Sequence, residues 1–208
     1  MSAYDELREL GSATVYEAAG REGMVDLDLT QVIPGSRAAG PARTVLCGDG
    51  DNLMVHAAIE RIRPGDVVVI TSPEPAAYAV VGDLLATQIM GRGAEAVLVD
   101  ASVRDVEDLR ELGLPIWARW VRVRGADKNA VGELDAPVEV GGITIEPGDA
   151  VVLDVDGVAV VPAGRLDEVV AAGHERVERE AEKRAKLQEG AMSYDLDNLR
   201  AVVEGGGR

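Results

Sequence analysis

Apolar residues follow one pattern before about residue 135 and another after it. Val67-Val68-Val69-Ile70 and Ala94-Glu95-Ala96-Val97-Leu98-Val99-Asp100 hold apolar runs too short for a helix, which predicts buried strands. Between them, apolar positions at 84, 85, 89 and 90, stopped by Gly91 and Gly93, predict a helix. A polar loop, Ala101-Ser102-Val103-Arg104-Asp105, should then leave the carboxyl end of the second strand. A helix over 106–112 ends at Gly113, and Pro115-Ile116-Trp117-Ala118 starts another strand. Upstream, 5–10 and 13–20 read as short helices split near Gly11-Ser12, with Ser12 as N-cap of the second. Thr44 to Cys47 is a short strand, and Gly48-Asp49-Gly50-Asp51 is a turn able to cap a helix over about 52–62. Residues 119–129 are basic and irregular, as in a surface loop.

From Val138 the signal changes to hairpins. Val138-Glu139-Val140 and Ile143-Thr144-Ile145 flank Gly141-Gly142, and a second pair, 151–154 and 158–161, flanks Asp156-Gly157. Pro64-Gly65-Asp66 and Pro147-Gly148-Asp149 each lead into a buried strand, one local solution used twice. Helices between early strands and antiparallel strands late predict a mixed α/β domain over 1–164. Residues 165–189 form a long charged helix with a narrow apolar stripe at Val169, Val170, Val177 and Ala181. So narrow a stripe fits a helix projecting along a neighbouring subunit, and fits equally a solvated helix on its own domain. The end, Gly205-Gly206-Gly207-Arg208, is expected to fray.

Composition narrows the function classes. The formal net charge is −16 over 208 residues, a surface that repels nucleic acid and anionic membranes. The single Cys47 excludes an intrachain disulfide and a cysteine-based zinc site. The first ten residues lack an apolar h-region, and no run is long enough to span a bilayer, so a cytoplasmic protein is expected.

The candidate chemistry lies at the carboxyl end of the central strand, where open α/β sheets bind ligands. Asp83, Arg104 and Asp105 form a candidate metal-and-anion site. A hard cation needs only one or two carboxylates and keeps several waters. Arg104 offers a planar set of donors to a carboxylate or enolate oxygen. Backbone N–H groups over 82–85 open a helix and can hold an anionic group. The same residues also read as a helix-start charge at Asp83 and a cap at Asp105. Gly91-Arg92-Gly93 ends a helix before its strand, the wrong order for a dinucleotide loop. His56 reads as a packed or surface histidine, and Cys47 as a core thiol.

These residues, with others across almost the whole chain, resemble the RraA-like family, which includes the divalent-metal-dependent 4-hydroxy-4-methyl-2-oxoglutarate/4-carboxy-4-hydroxy-2-oxoadipate aldolases. The resemblance runs through Ala13-Thr14-Val15-Tyr16-Glu17-Ala18, Gly40-Pro41-Ala42-Arg43, Gly50-Asp51-Asn52-Leu53 and Arg63-Pro64-Gly65-Asp66. It continues through Gly82-Asp83-Leu84-Leu85, Val103-Arg104-Asp105 and Asp156-Gly157-Val158. Its most specific element is Asp83 followed after twenty residues by Arg104-Asp105. The resemblance implies a mixed α/β sandwich with central sheets flanked by helices and a projecting C-terminal helix. It implies that Asp105 ligates Mg²⁺ or Mn²⁺ and that Asp83 holds waters on the metal, one of them the base. Arg104 would stabilise a pyruvate enolate, and the backbone of Gly82, Asp83, Leu84 and Leu85 would bind the pyruvate carboxylate. Glu180, or its neighbour Glu182, on the C-terminal helix of an adjacent subunit would complete the site in a homotrimer or homohexamer. The implied reaction is retro-aldol cleavage of a 4-hydroxy-2-oxo acid, with oxaloacetate decarboxylation through the same enolate. The family's regulatory members imply an alternative, a non-catalytic regulator that binds an RNA-degrading endonuclease. Trp117-Ala118-Arg119-Trp120 departs from relatives that often end this strand in Gly, and is expected to reshape the pocket rim.

Overall fold

The computed structural model describes residues 2–205. The chain runs α1 (Ala3–Leu10), α2 (Ser12–Ala18), β1 (Thr30–Gln31), β2 (Ala38–Leu46), α3 (Leu53–Ala58), β3 (Val67–Thr71), β4 (Ala79–Val81), α4 (Asp83–Gly91) and β5 (Ala96–Val103). It continues α5 (Val106–Leu112), β6 (Ile116–Val121), β7 (Glu133–Leu134), β8 (Val138–Val140), β9 (Ile143–Ile145), β10 (Ala150–Leu153) and β11 (Val158–Val161). A 3₁₀ turn then leads into α6 (Leu166–Gln188), α7 (Ser193–Leu196) and α8 (Leu199–Glu204). The main sheet has the order β1-β6-β5-β3-β2-β10-β11, with β4 on β5 and β7 on β2. Its centre, β2-β3-β5-β6, is parallel, while β1, β10 and β11 pair antiparallel.

The period-two alternation of strands divides the core. Val68 and Ile70 of β3 face α3, α4 and α5 in a cluster with Val97, Val99, Ile89 and Leu109. Val67 and Val69 face the other way, with Leu98, Trp117, Val151 and the β8–β9 hairpin. Ala150 and Val152 of β10 belong to a third cluster with Leu7, Val15, Val161 and Val169, beneath α1, α2 and α6. This is the expected mixed α/β architecture, with helices on both sides of the sheet.

The two Pro-Gly-Asp turns make the same bonds. Asp66 accepts the N–H of Arg63 and Asp149 that of Glu146, both at 2.9 Å. Gly65 and Gly148 take positive φ, at 88° and 92°. The strands they start, β3 and β10, lie on either side of β2.

Several expected boundaries shift. β2 starts at Ala38 rather than Thr44, because its first half pairs with β10. β5 continues through Ala101, Ser102 and Val103, all buried, because β4 and the far end of β6 pair with it there. β4 and the pairing of Arg119–Val121 with β5 are absent from the sequence reading. Ser12 is no N-cap. Gly11 takes that place, and Ser12 donates its N–H and hydroxyl to the buried Asp154 carboxylate at 2.7 and 2.5 Å. Trp117 is a core residue whose indole N–H donates to the Asp154 carbonyl at 2.9 Å. Trp120 lies under the Arg119 guanidinium at 4.3 Å. Neither tryptophan is among the residues that line the candidate cleft within this chain.

α6 packs through Val169 and Gly173, where Leu10 fills the space a Cβ would take. Past Gly173 none of its residues is buried. Val177 and Ala181 of the predicted stripe are exposed, so the second half of the helix projects. Gly205 closes α8; the rest of the tail expected to fray lies outside the described residues. Among the described residues no helix is long and apolar enough to cross a membrane.

Candidate active site

Two strand-to-helix junctions meet at one cleft. β4 passes through Gly82 into α4, and β5 passes through Arg104 and Asp105 into α5. Asp105 caps α5 with φ 60° and ψ 42°, a left-handed conformation that Asp tolerates better than most residues. That turn brings its carboxylate across to the start of α4, where Oδ2 accepts the Asp83 N–H at a long 3.4 Å. A Cβ on Gly82 would stand 2.4 Å from the same Oδ2, so only glycine leaves the carboxylate its place. The Arg104 Nε lies 3.5 Å from it. Gly82, the N-cap of α4, offers no side chain, and apart from the Asp83 N–H that Asp105 accepts, the first-turn N–H groups have no partner within the helix. Leu84 is 74% exposed and takes no part in the core.

The cleft is lined by Gly82, Asp83, Leu84, Leu85, Arg104 and Asp105, every residue expected there except Glu180. Glu180 sits on the projecting half of α6 and pairs with Arg176 at 2.8 Å, away from the cleft of its own chain. The structure adds Asn52, His56, Ala79 and Lys128. Asn52 donates its side-chain N–H to the Val80 carbonyl at 3.0 Å, while its buried oxygen has no donor among the described residues. His56 follows on the exposed face of α3. Lys128 comes from the segment read as an irregular surface loop. Asn52 was visible in the sequence only within the Gly50-Asp51-Asn52-Leu53 stretch of the resemblance, and no local pattern marked the others, because long-range pairing brings them to the cleft.

Among the described residues no three His, Cys, Asp or Glu side chains form a metal-holding group. Asp83 and Asp105 alone supply carboxylates to the cleft. Two oxygen donors with open positions for water suit Mg²⁺ or Mn²⁺ and do not suit structural zinc. Cys47 is remote from this chemistry in character: burial pushes its thiol up to about 12, the behaviour of the core thiol expected.

Known proteins agree with this fold and differ in their printed functions. A protein of Halalkalibacterium halodurans named "Putative 4-hydroxy-4-methyl-2-oxoglutarate aldolase" is 35% identical over 169 residues, 81% of this chain and 78% of that protein. Streptomyces coelicolor RraAS2, described as an unusual member of the RNase ES inhibitor RraA family, superposes with a TM-score of 0.79 at 30% identity. That match covers 88% of this chain and 96% of RraAS2. A Geobacillus kaustophilus structure titled as an S-adenosylmethionine:2-dimethylmenaquinone methyltransferase has a TM-score of 0.67 at 28% identity, covering 72% and 93%. One fold thus carries three printed functions, and activity has to be argued from the site. Residues 12–160 match the family model described as RraA-like, Aldolase/RraA, and the chain belongs to the RraA-like family.

Proposed function

We propose that this protein is an aldolase-type carbon–carbon lyase that cleaves a 4-hydroxy-2-oxo acid to pyruvate and a second carbonyl compound. The observation that carries the reading is the left-handed turn at Asp105. It gathers a carboxylate, the Arg104 guanidinium and the open start of α4 at one cleft. The printed name of the Halalkalibacterium relative supports the same reaction class.

Asp105, with Asp83, would hold Mg²⁺ or Mn²⁺, which supplies Lewis acidity toward the substrate's 2-oxo and carboxylate oxygens. The N–H groups of Leu84 and Leu85 bind the substrate carboxylate at the positive end of α4. Arg104 donates to the 2-oxo oxygen and stabilises the charge that gathers there. Asp83 orients a water that takes the 4-hydroxyl proton. The O–H electron pair becomes the new C4 carbonyl bond, the C3–C4 bond breaks, and its pair forms the C2–C3 bond of an enolate. Return of a proton to C3 completes pyruvate. Oxaloacetate reaches the same enolate by loss of CO₂ from C4, so decarboxylation accompanies aldol cleavage.

We further propose that residues 165–208 make subunit contacts in a homotrimer or homohexamer, and that Glu180 of the partner subunit completes the cleft. The exposed second half of α6 supports this. The competing reading, a non-catalytic regulator, draws on the RNase-inhibitor family of RraAS2. The deciding experiment is pyruvate release from oxaloacetate and from a 4-hydroxy-4-methyl-2-oxo diacid, with Mg²⁺ and with excess chelator. Metal-dependent release from either is expected; no enzyme-dependent release from both would favour the regulator.

A further inference from the structure

The first half of α6 is gripped by the rest of the chain, and the second half is not. Gly173 crosses α1 so closely that a Cβ there would stand 2.6 Å from a Leu10 methyl. Around that crossing the ion pairs run one way, from basic groups of α6 and the turn before it to acidic groups of α1, α2 and the loop after them. Arg165 reaches Glu22 at 3.1 Å, His174 reaches Glu6 at 2.7 Å and Arg176 reaches Glu17 at 3.5 Å. Among the described residues Arg176 is the last side chain of α6 with such a pair. Farther along, Arg179 pairs with Glu175 of the same helix and Lys183 with Asp197 of the tail.

Arg176 therefore stands where the helix leaves the body, and its guanidinium carries two carboxylates. One Nη lies 3.5 Å from Glu17 Oε2, and the other lies 2.8 Å from Glu180 Oε1, one turn up the helix. The Glu17 oxygen is held in turn by Arg21 Nε at 3.2 Å. The planar fork of an arginine fixes the direction of both partners at once. A glutamate on a bare helix is spread over several rotamers, and a contact that selects one of them removes that entropy before any partner arrives.

We propose that Arg176 is a positioning residue. Backed by Glu17 of its own body, it holds the Glu180 carboxylate in the rotamer that meets the partner subunit's cleft, by way of Oε1 and with Oε2 left to face that cleft. This rests on the reading that Glu180 completes the cleft, and deepens it by naming what aims the glutamate. A surface ion pair adds little to stability, so its loss is read in turnover.

The test is a double-mutant cycle on the full-length protein, read as Mg²⁺-dependent pyruvate release from oxaloacetate, with the oligomeric state followed by light scattering. Arg176→Met should lower kcat about fivefold and leave KM unchanged, since Arg176 touches no substrate. Arg176→Lys should recover part of the loss. In a Glu180→Ala background Arg176→Met should have no further effect, because no carboxylate is left to aim. Glu17→Gln leaves α6 intact and should cost about twofold, again only while Glu180 is present. It keeps the test decisive if Arg176→Met changes the assembly. A loss in Arg176→Met that persists beside Glu180→Ala would mark a merely structural residue and overturn the inference. Full activity in Arg176→Met with reduced activity in Glu180→Ala would overturn it and leave the Glu180 reading intact. Full activity in Glu180→Ala, or no pyruvate release from the wild type, would overturn both.

Discussion

The two walls of the cleft are built on different principles. One consists of the β4–α4 and β5–α5 junctions, where the reacting groups sit one residue from regular structure. Its geometry is set by local backbone: the left-handed Asp105 and the missing Cβ of Gly82. The other wall is the 122–130 segment, set by bonds from Asp51 to residues 78 and 79 positions away. The first wall can place chemistry to within an ångström because its neighbours are paired strands. The second hangs on bridges to Asp51 and to Ala79 of β4.

The largest effect should come from the first wall's carboxylate. Asp105→Ala is expected to lower metal-dependent pyruvate release about 10³-fold with the circular dichroism spectrum unchanged. Activity close to wild type would remove Asp105 from the site. Gly82→Ala comes next. The new Cβ would meet Asp105 Oδ2 at 2.4 Å, so the carboxylate must move by roughly an ångström, a displacement that costs about 10²-fold in rate. Alanine is a poorer N-cap than glycine by about 1 kcal/mol, too little to unfold a helix anchored by the buried Leu85, Ala86 and Ile89. A normal rate in Gly82→Ala would show that the close approach is incidental.

How legible each wall was follows from the same contrast. Asp83, Arg104 and Asp105 were visible because helix stop, strand and junction are contiguous in sequence. The error there was local: Ala101-Ser102-Val103 looked like loop because Ser102 is polar, yet it is buried between β4 and β6. Lys128 fell in a segment that reads as an irregular surface loop, and His56 read as a packed or surface histidine. Asp51 looked like a turn residue able to cap a helix, and it does accept the Leu53 N–H. Its second role, holding 129 and 130, is a tertiary bond that no local pattern encodes. The mixed α/β fold was legible throughout, since alternation and hairpin turns carry it.

A third, smaller effect concerns the proposed contribution from another subunit. Glu180→Ala should lower turnover about tenfold without changing the fold, because among the described residues Glu180 pairs with Arg176 alone. Loss with Glu182→Ala instead would shift the register of the contact along α6. Loss with neither would leave the cleft complete within one chain.

The smallest effect is on stability, and it isolates the second wall. Burial works to raise the Asp51 carboxyl, but the N–H groups of Asn129, Leu53 and Ala130, with Lys128 nearby, outweigh it and hold the carboxyl below its ordinary value. A folded-state pKa below the unfolded one, which is about 3.9, means that the ionised form stabilises the fold above that pH. The contribution falls away as pH drops from there through the folded-state value. Wild-type Tm should therefore decline more steeply than that of Asp51→Asn between about pH 5 and pH 2, the two curves converging at the acid end. Neutral-pH Tm should be lower in the variant, since an amide cannot satisfy all three N–H donors. Parallel curves would mean that the 122–130 segment is held by its backbone pairing to residues 50, 52, 79 and 103, with the Asp51 charge irrelevant to it.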